Sequence, residues 1–515
     1  MIGENIGSIS MKSGKDRKCN AIILAAGFGL RMVPINTDRP KALLSVNGEI
    51  LIERLIRQLR EVGVEDIFIV VGYMKEKLTY LKDKYSVTLV ENLNYGDTNN
   101  LYSLSLVAEK ISDSFILPCD IWCRKNLFSS NETESYYMVY ANDMKDKELP
   151  MTGVAYITHE DAERFKQSLS TVIESDVKKT AFWEEVLYDS QSLWIKSRSV
   201  ATDSIIQINT LEDLRKLDSK SEHLQSEEID LICQTLQVHP ETICEITALK
   251  KGMTNRSFLF SCEGQKYIMR IPGEGTELLI NRQQEASVYQ VLDNTDICDD
   301  VVYINPTSGY KITRFVDHAR NCDVNDVFDL KKCMSKLREF HESEYQVEHE
   351  FNLFEQINFY ETLLEDTKSV YSDYNQVKKQ VFDLSDYIDK YTQKKVLSHI
   401  DAVPDNFLIY TENDEEVIRL IDWEYAGMQD PHVDIAMFCI YALYDRAQID
   451  QLIDIYFEDA CPKEIRLKIY CYIAVCGLLW SNWCEYKRSL GVDFGEYAYR
   501  QYQYARDFSS ILTNR

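Results

Sequence analysis

The rhythm of apolar and polar positions changes twice along the chain. From residue 19, short apolar runs alternate with segments of helical spacing. Residues 21–25, 67–71, 87–91 and 115–119 read as buried strands, and 50–61 and 100–110 as helices between them. Repeated strand–helix–strand predicts a parallel sheet covered on both faces. The pattern ends near residue 217, where a charged stretch, Asp218-Ser-Lys-Ser-Glu-His-Leu-Gln-Ser-Glu-Glu, follows. Beyond it, 258–260 and 266–271 predict a hairpin around Cys262-Glu-Gly-Gln, 281–292 a helix, and 301–304 and 310–315 further strands. From residue 327 long helices dominate, interrupted by a strand–loop–strand over 396–422. The longest apolar stretch, 470–480, is too short to span a bilayer and predicts a buried helix.

This gives an α/β protein divided into a polar tail (1–18), a first domain (19–217), a linker (218–238) and a second domain (239–515). The second domain has a small β-rich lobe to about 316 and a larger helical lobe after it. Of the 515 residues, 45% are hydrophobic and 27% charged, which suits folded, soluble domains. The net charge of −26 disfavours broad contact with nucleic acid or anionic membrane. An anionic substrate must therefore be met by local cations. Fourteen cysteines form no CxxC pair and read as reduced thiols of a cytoplasmic protein. No secretory signal and no membrane insertion are expected. Homo-oligomerisation stays open.

The first chemical signal is Leu24-Ala-Ala-Gly-Phe-Gly-Leu-Arg-Met, a strand end running into a glycine loop. Ala26, Gly27 and Gly29 let backbone approach a phosphate or base. Met32 stands where GxGxxG needs its third glycine. Arg31 and, after Pro40, Lys41 are cations suited to a triphosphate or pyrophosphate. The stretch resembles the signature of sugar-nucleotide and phosphocholine nucleotidyltransferases, over residues 19–217. The resemblance implies a Rossmann-like domain with CTP over the glycine loop and Arg31 and Lys41 on its phosphates. It further implies that Asn99, Asn100 and Ser103 shape the nucleotide pocket and that Asp120 binds Mg²⁺. Trp183, followed by two glutamates, resembles the choline-facing segment of the phosphocholine members; packing in a helix is the alternative. The family's Glu-x-Asp pair is Gln207-Ile-Asn209 here. Asn209 offers a carbonyl oxygen without charge, Asp203 is a nearby substitute, and impaired catalysis is an open consequence.

The second signal is His399-Ile-Asp401-Ala-Val-Pro-Asp-Asn406, followed after fifteen residues by Ile421-Asp422-Trp423-Glu424. An aspartate five positions before an asparagine can orient a hydroxyl while the asparagine and a second aspartate bind Mg²⁺. Upstream, Thr254 and Asn255 lie in a loop able to close on phosphates, and Arg270 and Glu285 can form a strand–helix ion pair. The set resembles choline/ethanolamine kinases and aminoglycoside phosphotransferases, over about 240–515. That implies a bilobal protein-kinase-like (α+β) domain using ATP, with Asp401 catalytic and Asn406 and Asp422 on the metal. Trp480 and Trp483, one helical turn apart, suit a quaternary ammonium, with Tyr425 and Tyr444 as further walls. The joint expectation is a bifunctional enzyme taking choline to CDP-choline. Open alternatives are a sugar-1-phosphate nucleotidyltransferase or regulatory first domain, and a kinase acting on an aminoglycoside or another amino alcohol.

Overall fold

A computed structural model of the chain describes residues 18–29, 32, 39–96, 98–141, 151–173, 181–189, 192–249, 255–273, 278–364, 369–490, 492 and 494–512. They fall into two compact units, Met1–Ala248 and Leu249–Arg515.

The first unit is built on a seven-stranded sheet. Its order is Lys196–Val200, Tyr136–Tyr140, Met151–Ile157, Ser114–Pro118, Asn20–Ala25, Asp66–Val71, Thr88–Glu91. The last four strands in that order pair in parallel. Met151–Ile157 runs antiparallel to both neighbours, which corrects the expectation of a fully parallel sheet. Strands adjacent in sequence can pair this way without a crossover helix. Both faces of Asn20–Ala25 are covered. Ala21, Ile23 and Ala25 enter one core with Ile52, Leu55 and Leu59 of the helix Leu51–Glu61. Ile22 and Leu24 enter another with Leu101, Leu104 and Phe165.

The polar stretch from Asp218 is folded rather than an extended connection. The Asn47 N–H donates to the Asp218 carboxylate (2.7 Å), the Ser45 N–H to His223 Nε2 (2.9 Å), and the Ser221 hydroxyl to the Ser45 carbonyl (3.2 Å). A helix, Glu227–Leu236, follows, N-capped by Ser226.

In the second unit Asn255–Cys262 and Gln265–Pro272 pair as a hairpin, with Lys311–Arg314 and then Val301–Ile304 beyond. Glu263 and Gly264 (φ 50° and 79°) make the two-residue turn whose twist suits such a hairpin. The helical part is organised on Lys463–Ser489, buried continuously from Lys468 to Lys487. A helix apolar on all sides belongs at the centre of a large core, and the long apolar run at 470–480 is its middle. Among the described residues no helix is long and apolar enough to cross a membrane. All fourteen cysteines are free thiols.

Candidate active sites

In the first unit the loop after Asn20–Ala25 carries Gly27 and Gly29. Gly29 has φ 68°, and a Cβ there would sit 2.9 Å from the Lys41 methylenes, so glycine lets the lysine stem pass. A Cβ on Gly27 would meet nothing within 4 Å. The Ala26 carbonyl accepts the Tyr73 N–H (3.0 Å), tying the loop to the next strand end. Lys41 Nζ lies 3.0 Å from Asp120 Oδ2 and 3.5 Å from Asn209 Oδ1. Main-chain pairing explains the meeting. Ile205–Gln207 runs antiparallel to Ile121–Cys123, and the Ile208 N–H donates to the Asp120 carbonyl (2.9 Å). The N–H groups of Asn209 and Thr210 both donate to Asp213 at 3.0 Å, in the capping box of the helix Leu211–Leu217. Asp120 Oδ1 is buried without a hydrogen-bond partner, a hard oxygen that a cation would satisfy.

Asn99 caps the helix Asn100–Ser105 by accepting the Asn100 N–H (2.8 Å). Asn100 Oδ1 accepts the Trp183 N–H (2.8 Å), and Ser103 Oγ accepts from buried Asn92 (3.1 Å). Asp203 stands on an exposed turn.

In the second unit the strands Phe407–Glu412 and Glu415–Leu420 bring Asn406 and Ile421 together, and the Ile421 N–H donates to the Asn406 carbonyl (2.9 Å). Asn406 Nδ2 donates to the Asp401 carbonyl (2.8 Å) and to Asp401 Oδ2 (3.1 Å), so its side-chain oxygen is the end available to a cation. Burial, with the charges of Asp422 and Glu424, pushes the Asp401 carboxyl up to about 8. Burial and Glu424 likewise raise Asp422, which has φ 66°. Crowded carboxylates beside an amide oxygen are a hard-oxygen donor set that fits Mg²⁺. Among the described residues no cluster of three or more His, Cys, Asp or Glu side chains could hold a metal ion.

Arg270 is bidentate on Glu285, with Nη2 at 2.9 Å from Oε2 and also 2.9 Å from the Gly309 carbonyl. Burial works to raise the Glu285 carboxyl, yet the Arg270 charge holds it down at about 2. Arg282 Nη1 bridges Glu285 (2.9 Å) and Glu424 (3.1 Å). Gly309 has φ 73°, and a Cβ there would lie 2.7 Å from Pro272 and 2.9 Å from Arg282 Nε. Thus one helix, one strand and the segment after Asp422 share a buried charge network.

Trp480 and Trp483 stack with centroids 6.4 Å apart and planes at 13°. Tyr425 stands edge-on to Trp480 at 5.7 Å, and Phe494 lies 5.3 Å from Trp483. Tyr425 also lines a cleft of about 670 Å³ with Arg282, Glu424, Phe351 and Gln356.

Residues 21–131 match the MobA-like NTP transferase domain, and residues 246–471 match the Choline/ethanolamine kinase family. A choline-phosphate cytidylyltransferase of Streptococcus pneumoniae is 35% identical over 220 residues, which are 38% of this chain and 96% of that protein. The chain belongs to the choline-phosphate cytidylyltransferase family. Its second unit carries the choline/ethanolamine kinase domain. Protein LicA of Haemophilus influenzae is 26% identical over 264 residues, 48% of this chain and 96% of that protein. The crystal structure of choline kinase LicA from Streptococcus pneumoniae is 28% identical, with a TM-score of 0.49, over 55% of this chain and 99% of its own. The two family matches place a nucleotidyltransferase domain and a kinase domain in one chain.

All five expected choline contacts are buried, Trp480 at 4%, Trp483 at 2% and Tyr425 at 6% exposed, and of the five only Tyr425 lines the cleft. Trp183 in the cytidylyltransferase unit is 1% exposed and packs on Tyr137 and Phe165, so its ring belongs to the core. Tyr444 in the kinase unit is buried beside Phe438, and its hydroxyl donates to the Val324 carbonyl (2.5 Å). Arg31 and Thr254 fall outside the described residues, and of Asn255 only the backbone is described, as the first residue of its strand. Two kinase-unit residues, Gly309 and Tyr360, escaped the sequence, and Arg282 and Asp434 gain their partners only in the fold. Arg282 and Gly309 complete the charge network. Asp434 accepts the N–H groups of His399 and Ile400 (2.9 and 2.7 Å), steadying the Asp401 loop. Tyr360 is fully buried, its hydroxyl has no hydrogen-bond partner, and it feels the charges of Glu424 and Asp401. The sequence neighbourhoods of Gly309 and Tyr360 carry no motif; only the fold brings them to the site.

Proposed function

We propose that this chain phosphorylates choline with ATP and then joins the phosphocholine to CTP, giving CDP-choline and pyrophosphate. Supporting the pairing, the product of one step is the acceptor of the other. The choline assignment is carried by the stacked Trp480–Trp483 pair with Tyr425 edge-on. A quaternary ammonium has no N–H to donate, so aromatic faces and nearby carboxylates are what can recognise it.

In the kinase unit Asp401 orients the choline hydroxyl and accepts its proton as the oxygen attacks the γ-phosphorus and ADP leaves. Asn406 and Asp422 would hold Mg²⁺, and Arg270 and Glu285 position the nucleotide phosphates. Asp434 acts through the Asp401 loop as a positioning residue. In the cytidylyltransferase unit Ala26, Gly27 and Gly29 line the nucleotide, Arg31 and Lys41 neutralise its phosphates, and Asp120 with Asn209 faces Mg²⁺. Asn99, Asn100 and Ser103 fix the pocket wall. The phosphocholine oxygen attacks the α-phosphorus of CTP and pyrophosphate departs. Mg²⁺, when bound, supplies charge neutralisation at the reacting phosphates. We place the reaction in the cytoplasm, where both nucleotides and reduced thiols coexist.

One incubation of the full chain with choline, ATP, CTP and Mg²⁺, resolved over time, tests the whole reading. CDP-choline is expected, preceded by phosphocholine. Phosphocholine accumulating alone would overturn the cytidylyl step and favour another acceptor or lost chemistry. No phosphocholine would overturn the kinase assignment.

A further inference from the structure

The centre of the cytidylyltransferase unit already contains a cation. Lys41 Nζ sits 3.0 Å from Asp120 Oδ2 and 3.5 Å from Asn209 Oδ1, and the Lys41 and Asp120 side chains are only 11% and 13% exposed. One carboxylate, one ammonium and one amide sum to zero charge. The group is held in place by its surroundings: the Ile208–Asp120 main-chain bond, the Asp213 cap on Asn209, and Gly29 against the lysine stem. A divalent cation approaching this triad alone meets no net attraction, and one Asp120 oxygen is already taken by the lysine. An acid at position 209 would leave the triad at −1, and the affinity of hard cations rises with the number of carboxylates offered.

We infer that Lys41 is the resident counter-ion of Asp120 in the nucleotide-free protein, and that Asn209 makes divalent-metal binding conditional on a nucleoside triphosphate. The triphosphate draws Lys41 off Asp120 by its own negative charge and brings further oxygen ligands. The freed Asp120 carboxylate, including the unpartnered Oδ1, then joins the metal the nucleotide carries. A site of this kind avoids trapping free metal and is assembled by its substrate. This rests on the proposal that the first unit binds CTP.

The test is Mn²⁺ titration of the full chain, with free Mn²⁺ read by electron paramagnetic resonance, so no turnover is needed. Because the kinase unit is the same in every variant, differences report the first unit. Without nucleotide, Asn209→Asp is expected to gain one Mn²⁺ site at least tenfold tighter than any the wild-type chain shows there. Adding Asp120→Asn should remove that gain. Lys41→Met, which strips Asp120 of its counter-ion, is the second route to nucleotide-free binding and needs no new acid. With CTP, the wild-type chain should take up the additional Mn²⁺ itself. Two results would overturn the inference: Asn209→Asp and Lys41→Met both titrating as wild type, or Asp120→Asn removing an ion from the nucleotide-free wild-type chain. Absence of CDP-choline alongside the expected Mn²⁺ pattern would instead sink the functional reading alone.

Discussion

Asp434 accepts the backbone N–H of His399 at 2.9 Å, so a carboxylate on the helix His432–Tyr441 fixes the loop that carries Asp401. The same carboxylate takes the Ile400 N–H and pairs with His341 Nε2 at 2.8 Å, and it is fully buried. Asp434→Asn keeps the size but loses half of that acceptor capacity. Phosphorylation should fall in kcat by about 10²-fold, as when a 1 Å misplacement disturbs a reacting pair. Cytidylyl transfer from supplied phosphocholine should be unchanged. Steady-state rates for both reactions on one preparation check this.

Removing Asp401 itself separates the two chemistries. Asp401→Asn should lower phosphorylation by about 10²–10⁴-fold, the usual contribution of a positioned acid–base group. Supplied phosphocholine should still be converted at the wild-type rate. Parallel loss of both reactions would refute the independence of the two sites.

The tryptophan pair predicts a selective effect. Trp480→Leu retains an apolar side chain but removes the π face. A desolvated cation–π contact is worth about 2 kcal/mol, roughly thirty-fold in affinity. The KM for choline should therefore rise by about that factor while the KM for ATP stays within about twofold. Equal small changes in both would eliminate the aromatic recognition of the cation.

Two buried carboxyls give opposite pH behaviour in the two units. Burial pushes Glu184, in the first unit, up to about 7. Its folded form binds a proton more tightly than its unfolded form, so its contribution is fully present below about pH 4.5 and is lost as pH rises through 7. Glu184→Gln should flatten that decline in a melting curve of the first unit. Glu285 is held at about 2, so its contribution is present above about pH 4.5 and lost as pH falls towards 2. Differential scanning calorimetry from pH 3 to 8, with Glu184→Gln alongside, should show the first unit weakening on the alkaline side and the second on the acid side.

Gly309 predicts a backbone effect on nucleotide handling. Gly309→Ala places a methyl against Pro272 and Arg282 at a φ of 73°. The strain should cost about 1–3 kcal/mol and displace the Arg282 bridge to Glu424. A raised KM for ATP with little change in that for choline is the expected kinetic result.

The sequence revealed what depends on local order. Continuous apolar runs gave four of the seven strands of the first sheet, because strands buried on both faces need no alternation. Asp401, Asn406 and Asp422 were legible because a hairpin keeps them at fixed spacing. Tyr136–Tyr140, Met151–Ile157 and Lys196–Val200 were not read as strands, and the antiparallel run of Met151–Ile157 could not follow from an apolar pattern, which carries no direction. Trp183 and Tyr444 looked like ligand walls because an aromatic residue beside acids reads the same whether it faces a pocket or a core. Tyr360 reaches the Asp401–Asp422 region from a helix about forty residues upstream of Asp401, and nothing local marks it. The polar stretch of 218–238 read as a linker or the entry to a connecting helix, and composition could not show that Asp218, Ser221 and His223 bond to the Ser45–Asn47 turn.

In Asn20–Ala25 the five residues from Ala21 send odd positions into one core and even positions into the other, and Ala26, Gly27 and Gly29 follow closely. Length in this segment is therefore far less negotiable than identity. Exchange among aliphatic side chains leaves the layers intact, whereas a single inserted or deleted codon swaps the two faces and slides the glycines off Lys41 at once. Lineages carrying this unit should diverge here by substitution and tolerate gaps only outside it.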